Sequence, residues 1–226
     1  MTAKDAFAHL NVEPVTVVDR VVDELRRALF DGELDPGTPL REVALADSLG
    51  VARSTVREAL GHLVNEGLAD RVPNKGTAVH APSAEEIRDV CRARAVLETA
   101  GVRRWNEASE EARDELRAAI KEFRRVARAR ATPQELTAAH LQVHRALTGL
   151  TESPRLIAAA DSLYAEIRLA LASLDRTRGN KREQVHAHGD LVELLESGRL
   201  HDAEAELQAH LAGAERSLVA SIESRA

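Results

Sequence analysis

Four histidines in the second half of the chain have the residue type and positions to hold a metal ion. His140 and His144 are four apart in PQELTAAHLQVHRALTG, a spacing that on a helix places both rings on one face about one turn apart. His188 and His210 lie well inside two later segments of helical character. Imidazoles at i, i+4 suit a divalent ion, and further ligands from separate helices can complete a site in a bundle core. Spacing alone leaves open the reading of four hydrogen-bonded core histidines. A second group lies in the first half, where Arg53, Ser54, Thr55 and Arg57 open the stretch 50–67. Two planar cations and two hydroxyls are gathered at a helix N-terminus, where backbone N–H groups and the dipole already favour anions. Behind them Val56, Ala59, Leu60, Leu63 and Val64 recur at helical spacing. Such a helix suits end-first insertion into a DNA major groove; an ordinary solvated turn is the alternative.

The elements that position these groups are helical. Of 226 residues 44% are hydrophobic but only 2% aromatic, so the core is packed with Leu, Ala and Val, which favours helices over a sandwich or barrel. The lone Cys91 excludes an intramolecular disulfide and fits a reducing compartment. The N-terminus MTAKDAFAHLN lacks a basic-then-apolar signal pattern and no apolar run approaches membrane-spanning length, so a soluble cytoplasmic protein with no membrane partner is expected. A net charge of −6 argues against indiscriminate nucleic-acid binding but permits a local basic tip. From residue 40 to 80 five Lys/Arg are matched by five Asp/Glu, so the cations of a DNA-binding surface must be concentrated on one face.

In chain order, 16–30 gives a helix stopped by Asp31-Gly32, and Leu34-Asp35-Pro36-Gly37 a turn. Residues 40–49 make a short helix with Gly50 as its C′ residue, and the helix of Arg53 follows at once, as in a helix-turn-helix. Residues 68–72 and 77–80 read as two strands joined through Pro73-Asn74-Lys75-Gly76, a wing with Lys75 at its tip. Ala81-Pro82 marks a boundary. Beyond it, Ser83–Glu86, Thr132–Glu135 and Asn180–Glu183 are capping boxes; with Ser109, Ser153-Pro154 and Asp202 as further starts they predict six helices with short joints. The fold class is therefore mainly α: an N-terminal winged helix-turn-helix over 10–80, then an all-α antiparallel bundle over 83–226.

The run from ELRRALFDGELDPGTPL through REVALADSLGVARSTVREALGHLVNEGL to a glycine-containing wing resembles the winged helix-turn-helix of GntR-family transcriptional regulators. The resemblance implies that Arg53, Ser54, Thr55 and Arg57 contact operator DNA and that Gly76 approaches the minor groove, with Lys75 beside it. Two positions depart from the family pattern. Ala52 stands where Ser or Thr usually caps the recognition helix, which forfeits about 1 kcal/mol unless Ser54 takes over. Val43 stands where the family often has a phosphate-contacting Arg, leaving Arg41 as the nearby candidate.

HRALTGLTESPRL, QVHAHGDLVELLESGRLHDAEAELQAHL and the R-x-x-L-E of residues 94–98 are similar to the FCD ligand-sensing domain found with this DNA-binding domain in the FadR-like subfamily. By that resemblance His144, His188 and His210 fall on three metal-binding histidines, and His140 falls where the family more often has Asp. A site of imidazoles without carboxylate shifts preference toward zinc, with nickel as the second choice; His140 as a bystander, with three histidines and water or effector on the metal, is the competing arrangement. Arg94, Arg92 and Arg145 are candidates to meet an effector carboxylate through a planar fork, Arg94 first. The expected function is an effector-responsive regulator, a homodimeric repressor on double-stranded, inverted-repeat operator DNA, controlled by a small carboxylate in a metal-containing pocket. The rival is a metal-dependent hydrolase that uses the histidine cluster, with the winged domain as a docking module; Glu183 and Asp190 are near the histidines in sequence, but nothing ties either to the site as a general base.

Overall fold

The computed structural model of the protein describes residues 16–129, 131–172 and 181–224, the side chains of 181–187 excepted. The expected starts of the first domain at residue 10 and of the Asn180 capping box lie outside the described residues.

The N-terminal half is built from α1 (Val17–Phe30), α2 (Glu42–Leu49), α3 (Arg53–Asn65), β1 (Ala69–Val72) and β2 (Gly76–Val79). Thr16 and Asp19 form a reciprocal capping box that starts α1. Gly50 ends α2 at φ 65°, a left-handed conformation open to glycine at no steric cost, and α3 begins three residues later. The predicted stripe of α3 is in place, with Val56, Ala59, Leu60 and Leu63 buried against α1. Arg26 of α1 holds Glu66, just beyond α3, through Nε and Nη2 at 2.8 and 2.6 Å. The strands pair antiparallel from Ala69 opposite Val79 to Val72 opposite Gly76. Residues 37–40 add a short third edge, with Leu40 N donating to Thr77 O and Val79 N to Thr38 O, which the strand pattern did not foretell.

The C-terminal half comprises α4 (Ala84–Arg103), α5 (Glu110–Arg128), α6 (Pro133–Gly149), α7 (Pro154–Ala172), α8 (Lys181–Glu196) and α9 (Leu200–Glu223). Ser83–Glu86 and Thr132–Glu135 form the expected reciprocal boxes and Ser109 caps α5. Asp202 does not cap α9: the helix starts earlier, from Arg199, and Asp202 sits in its first turn, where its carboxylate accepts from Arg199 Nε at 2.7 Å. The dipole favours an acid there too, so the residue type could not tell the two positions apart. Helix α4 packs on α6, α7 and α9; α5 packs on α6 and α8. Trp105 is a core residue, with the guanidinium groups of Arg113 and Arg117 over its ring.

Helix α7 serves both halves. Leu169 is 1% exposed within the apolar cluster of the winged half, and Arg168 lies 4.2 Å over the Phe30 ring. Gln134 of α6 adds a hydrogen bond to the Asp31 carbonyl.

Helices α4 and α6 cross closely at Gly101, where a Cβ would lie 1.8 Å from the Leu147 carbonyl oxygen. Only glycine lets α4 and α6 approach this closely. A Gly101→Ala variant is expected to lose about 1–3 kcal/mol or more of stability through forced separation of the helices, measured as a lowered denaturant midpoint.

Candidate metal centre and nucleic-acid interface

One turn before that crossing on each helix stand Glu98 and His144, and the glycine contact brings them face to face. His144 Nδ1 lies 2.7 Å from Glu98 Oε2. Glu98 is fully buried and also accepts from Arg94 Nε at 3.0 Å, with the Tyr164 hydroxyl 3.2 Å from the same oxygen. Burial pushes the Glu98 carboxyl up, while Arg94 and these donors oppose it. With its Nδ1–H given to Glu98, His144 turns a lone pair on Nε2 toward the bundle interior.

There the four histidines meet, one ring nitrogen from each lying within 4.8 Å of every other. The Nε2 atoms of His140, His144 and His188 form a triangle of 3.1, 3.2 and 3.2 Å. His210 Nε2 is buried and without a partner, its ring stacked on His144 at 5.3 Å. Phe123 of α5 backs His140 and His188.

This donor set fits a divalent cation. Three neutral nitrogens in mutual contact cannot alternate donor and acceptor around a triangle, so at least one pair must oppose like to like. A cation satisfies all of them and His210 as well. Ligands held at about 2.0–2.1 Å require nitrogen separations of roughly 3.0–3.4 Å, which the triangle matches. Burial first, then the neighbouring imidazoles and Arg94, keep His140 and His144 well below the ordinary histidine range, and His210 is lowered to about 3. Neutral imidazole is the ligand form.

Of the candidate effector contacts, Arg94 borders the site but its Nε is committed to Glu98 and its guanidinium lies 5.3 Å over Tyr164. Arg92 and Arg145 are not there. Two residues before Arg94 is about 200° around a helix, and Arg92 pairs with Asp89 and Glu85 on the exposed face. Arg145, one residue past His144, points outward to Asp161 at 2.7 Å. Both have the side-chain type for a carboxylate partner, but they stand on faces of their helices turned away from the histidine cluster. Glu98 and Tyr164 were the residues sequence reasoning missed as site members. The signal for Glu98 was a carboxylate at the end of R-x-x-L-E, three residues before a helical glycine; Tyr164 had none. Among the described residues no carboxylate faces the four ring nitrogens as a base: Asp190 is exposed and Glu98 stands behind His144; the Glu183 side chain lies outside the described residues.

At the other end of the molecule, Arg53, Ser54 and Arg57 are exposed on α3 and Thr55 is half-buried. The N-cap Ala52 has no side-chain cap, and Ser54 does not supply one. Arg41 is exposed at the front of α2, Val43 is 50% exposed beside it, and Lys75 and Gly76 are exposed at the wing tip. Arg71 of β1, not anticipated, joins Ser54, Arg57 and His62 along one shallow groove beside α3. Arg57 gives Nε and Nη2 to the two oxygens of Glu42 at 2.9 and 2.7 Å.

Comparison with known proteins agrees with this geometry. The model of bacterial regulatory proteins of the gntR family matches residues 17–79, and the FCD domain model matches residues 89–213. The chain belongs to the GntR family of regulators with an FCD domain. It is 28% identical over 199 residues to the "Probable D-xylose utilization operon transcriptional repressor" of Paenarthrobacter nicotinovorans, covering 87% of this chain and 86% of that one. The HTH-type transcriptional repressor NagR of Bacillus subtilis is 39% identical over 74 residues, 32% of this chain and 30% of its own. A solved GntR regulator from Rhodococcus sp. RHA1 superposes with a TM-score of 0.77 at 27% identity, covering 90% of this chain and 97% of that one. The protein is a transcription regulator and not an enzyme, and among the described residues no helix is long and apolar enough to cross a membrane.

The lowered histidines set an acid limit for the metal-free protein. Unfolded, each imidazole takes a proton near pH 6.5; folded, His210 resists until about 3. Below 6.5 the unfolded chain therefore binds more protons, so this share of stability is complete above pH 6.5 and is lost as pH falls through that window. Urea midpoints of chelator-treated protein should decline from about pH 6.5, above the carboxylate range, and His210→Asn should flatten the decline.

Proposed function

We propose that the protein is a transcriptional repressor that binds an inverted-repeat operator as a homodimer and is released or rearranged by a small carboxylate bound at a metal-containing site. The observation that carries the DNA reading is the exposed front of α3, where Arg53, Ser54 and Arg57 stand free of the core beside a wing tipped by Lys75. The half from residue 16 to 80 is the DNA-binding domain, and the half from 83 onward carries effector, metal and dimer contacts. Repressors among its relatives support the sign of regulation.

His140, His144, His188 and His210 would hold the ion, with Glu98 as the outer partner that fixes His144, an arrangement recurrent at metal-bound histidines. The all-imidazole set favours zinc, then nickel. The ion would keep its full double charge and supply an electrostatic anchor for an anionic effector. His140 and His210 are only half-buried, so the effector reaches the site from their side. It regulates only if it binds one arrangement of the two DNA-binding halves better than the other.

Arg53→Ala and Arg57→Ala should each weaken binding to a duplex selected from a random library by at least about tenfold, with unfolding midpoint and metal content unchanged; retained sequence-specific binding in both would sink the DNA reading. Separately, metal analysis of purified protein should find about one divalent ion per chain, lost in His144→Ala and His210→Ala. An unchanged content in both would end the metal assignment.

A further inference from the structure

The bidentate contact between Glu42 and Arg57 has a direction. Glu42 takes the side of the guanidinium, through Nε and Nη2 at 2.9 and 2.7 Å. Five N–H bonds radiate from that plane, so two of the five are used. The end of the fork, formed by Nη1 and the second hydrogen of Nη2, stays free. Two parallel N–H donors there have the spacing that matches O6 and N7 of guanine in the major groove. Glu42 opens α2 and Arg57 lies one turn into α3, so the contact spans the two helices of the reading head. Arg53 stands at 4.0 Å from the same carboxylate and makes no bidentate contact with it. Glu42 is the more sheltered partner, its side chain 29% exposed against 61% for Arg57. The acid is thus the fixed support and the arginine the projecting arm.

From this geometry we infer that Glu42 is a positioning residue for operator specificity: it braces Arg57 from the side so that its free end reads a guanine edge instead of collapsing onto the nearest phosphate. A carboxylate at this place also repels the DNA backbone. It therefore lowers affinity for every sequence while raising the contrast between sequences. The inference rests on the DNA-binding reading of α3 and adds to it a residue that carries the wrong charge for a DNA contact.

The test uses the full-length protein and duplexes from random-library selection. Native protein should select a site with guanine at one position of each half. In Glu42→Ala and Glu42→Gln, discrimination at that guanine should fall roughly tenfold or more, with preferences at other positions kept. The slope of log affinity against log salt should steepen by about one, as the unbraced Arg57 takes a phosphate. Glu42→Asp, which keeps the charge on a shorter arm, should recover part of the discrimination and the native slope. Undiminished guanine preference in Glu42→Ala would overturn the proposal, as would a uniform loss across all positions at an unchanged salt slope. Absence of any selected sequence with native protein would instead overturn the DNA-binding reading on which it stands.

Discussion

A carboxylate with no access to water governs the C-terminal half. Glu98 cannot remain charged in that interior without compensation, because burial of an unpaired ion is prohibitive. Its surroundings meet the requirement from three helices: Arg94 one turn back on α4, His144 on α6 and Tyr164 on α7. Removing one partner of such a buried set costs on the order of 3–5 kcal/mol, although the set itself is no guarantee of net stability. What it provides is definition. The tautomer and rotation of His144 follow from Glu98, and the positions of the other three rings follow from packing against His144 and Phe123. Gly101 is the precondition, since α4 and α6 could not otherwise approach closely enough for the pair to form.

The reading head solves a different electrostatic problem. Its segment from residue 40 to 80 is balanced in formal charge, so where each acid is held decides which cations face outward and how. Of its five acids, Glu66 is taken by Arg26 of α1, Glu42 by Arg57 and Asp70 by His80, while Arg27 holds Glu24, Asp31 and Glu33 outside the segment. Arg41, Lys75 and Arg71 are left exposed on α2, the wing and β1. These exposed ion pairs contribute little to stability; their effect is on where positive potential survives.

Much of this was readable in the chain because it is local. Helical periodicity, capping boxes and turn residues act within a few positions, so the order of elements, the buried stripe of α3 and the wing could be written down from residue types. The histidine cluster was half local: His140 and His144 announce themselves by spacing, whereas His188 and His210 could be offered as partners only from their place in later helices, a reading that the family resemblance strengthened. The failures were three-dimensional. Arg92 and Arg145 have suitable chemistry, but the helix turns them away from the histidine cluster, which residue type alone does not reveal. Glu98 stood in a quoted motif, yet its role depends on a glycine crossing that no spacing rule exposes. The Asp202 cap failed because the same acid satisfies the dipole at two neighbouring positions. The edge formed by residues 37–40 was hidden in a turn-rich stretch with no alternation to reveal it.

Helix α7 belongs by sequence to the C-terminal half, and yet Leu169 fills the interior of the winged half, five residues and little more than a helical turn after Tyr164. The halves are consequently not interchangeable parts. Grafting this winged half onto another bundle, or exchanging the bundle beneath it, would leave a hole where Leu169 sits unless the new partner brings a side chain of similar shape to the same place. A lineage that diversifies by shuffling such modules must therefore carry its seam along with them, and at this seam the inheritance includes one leucine from the far side of the boundary.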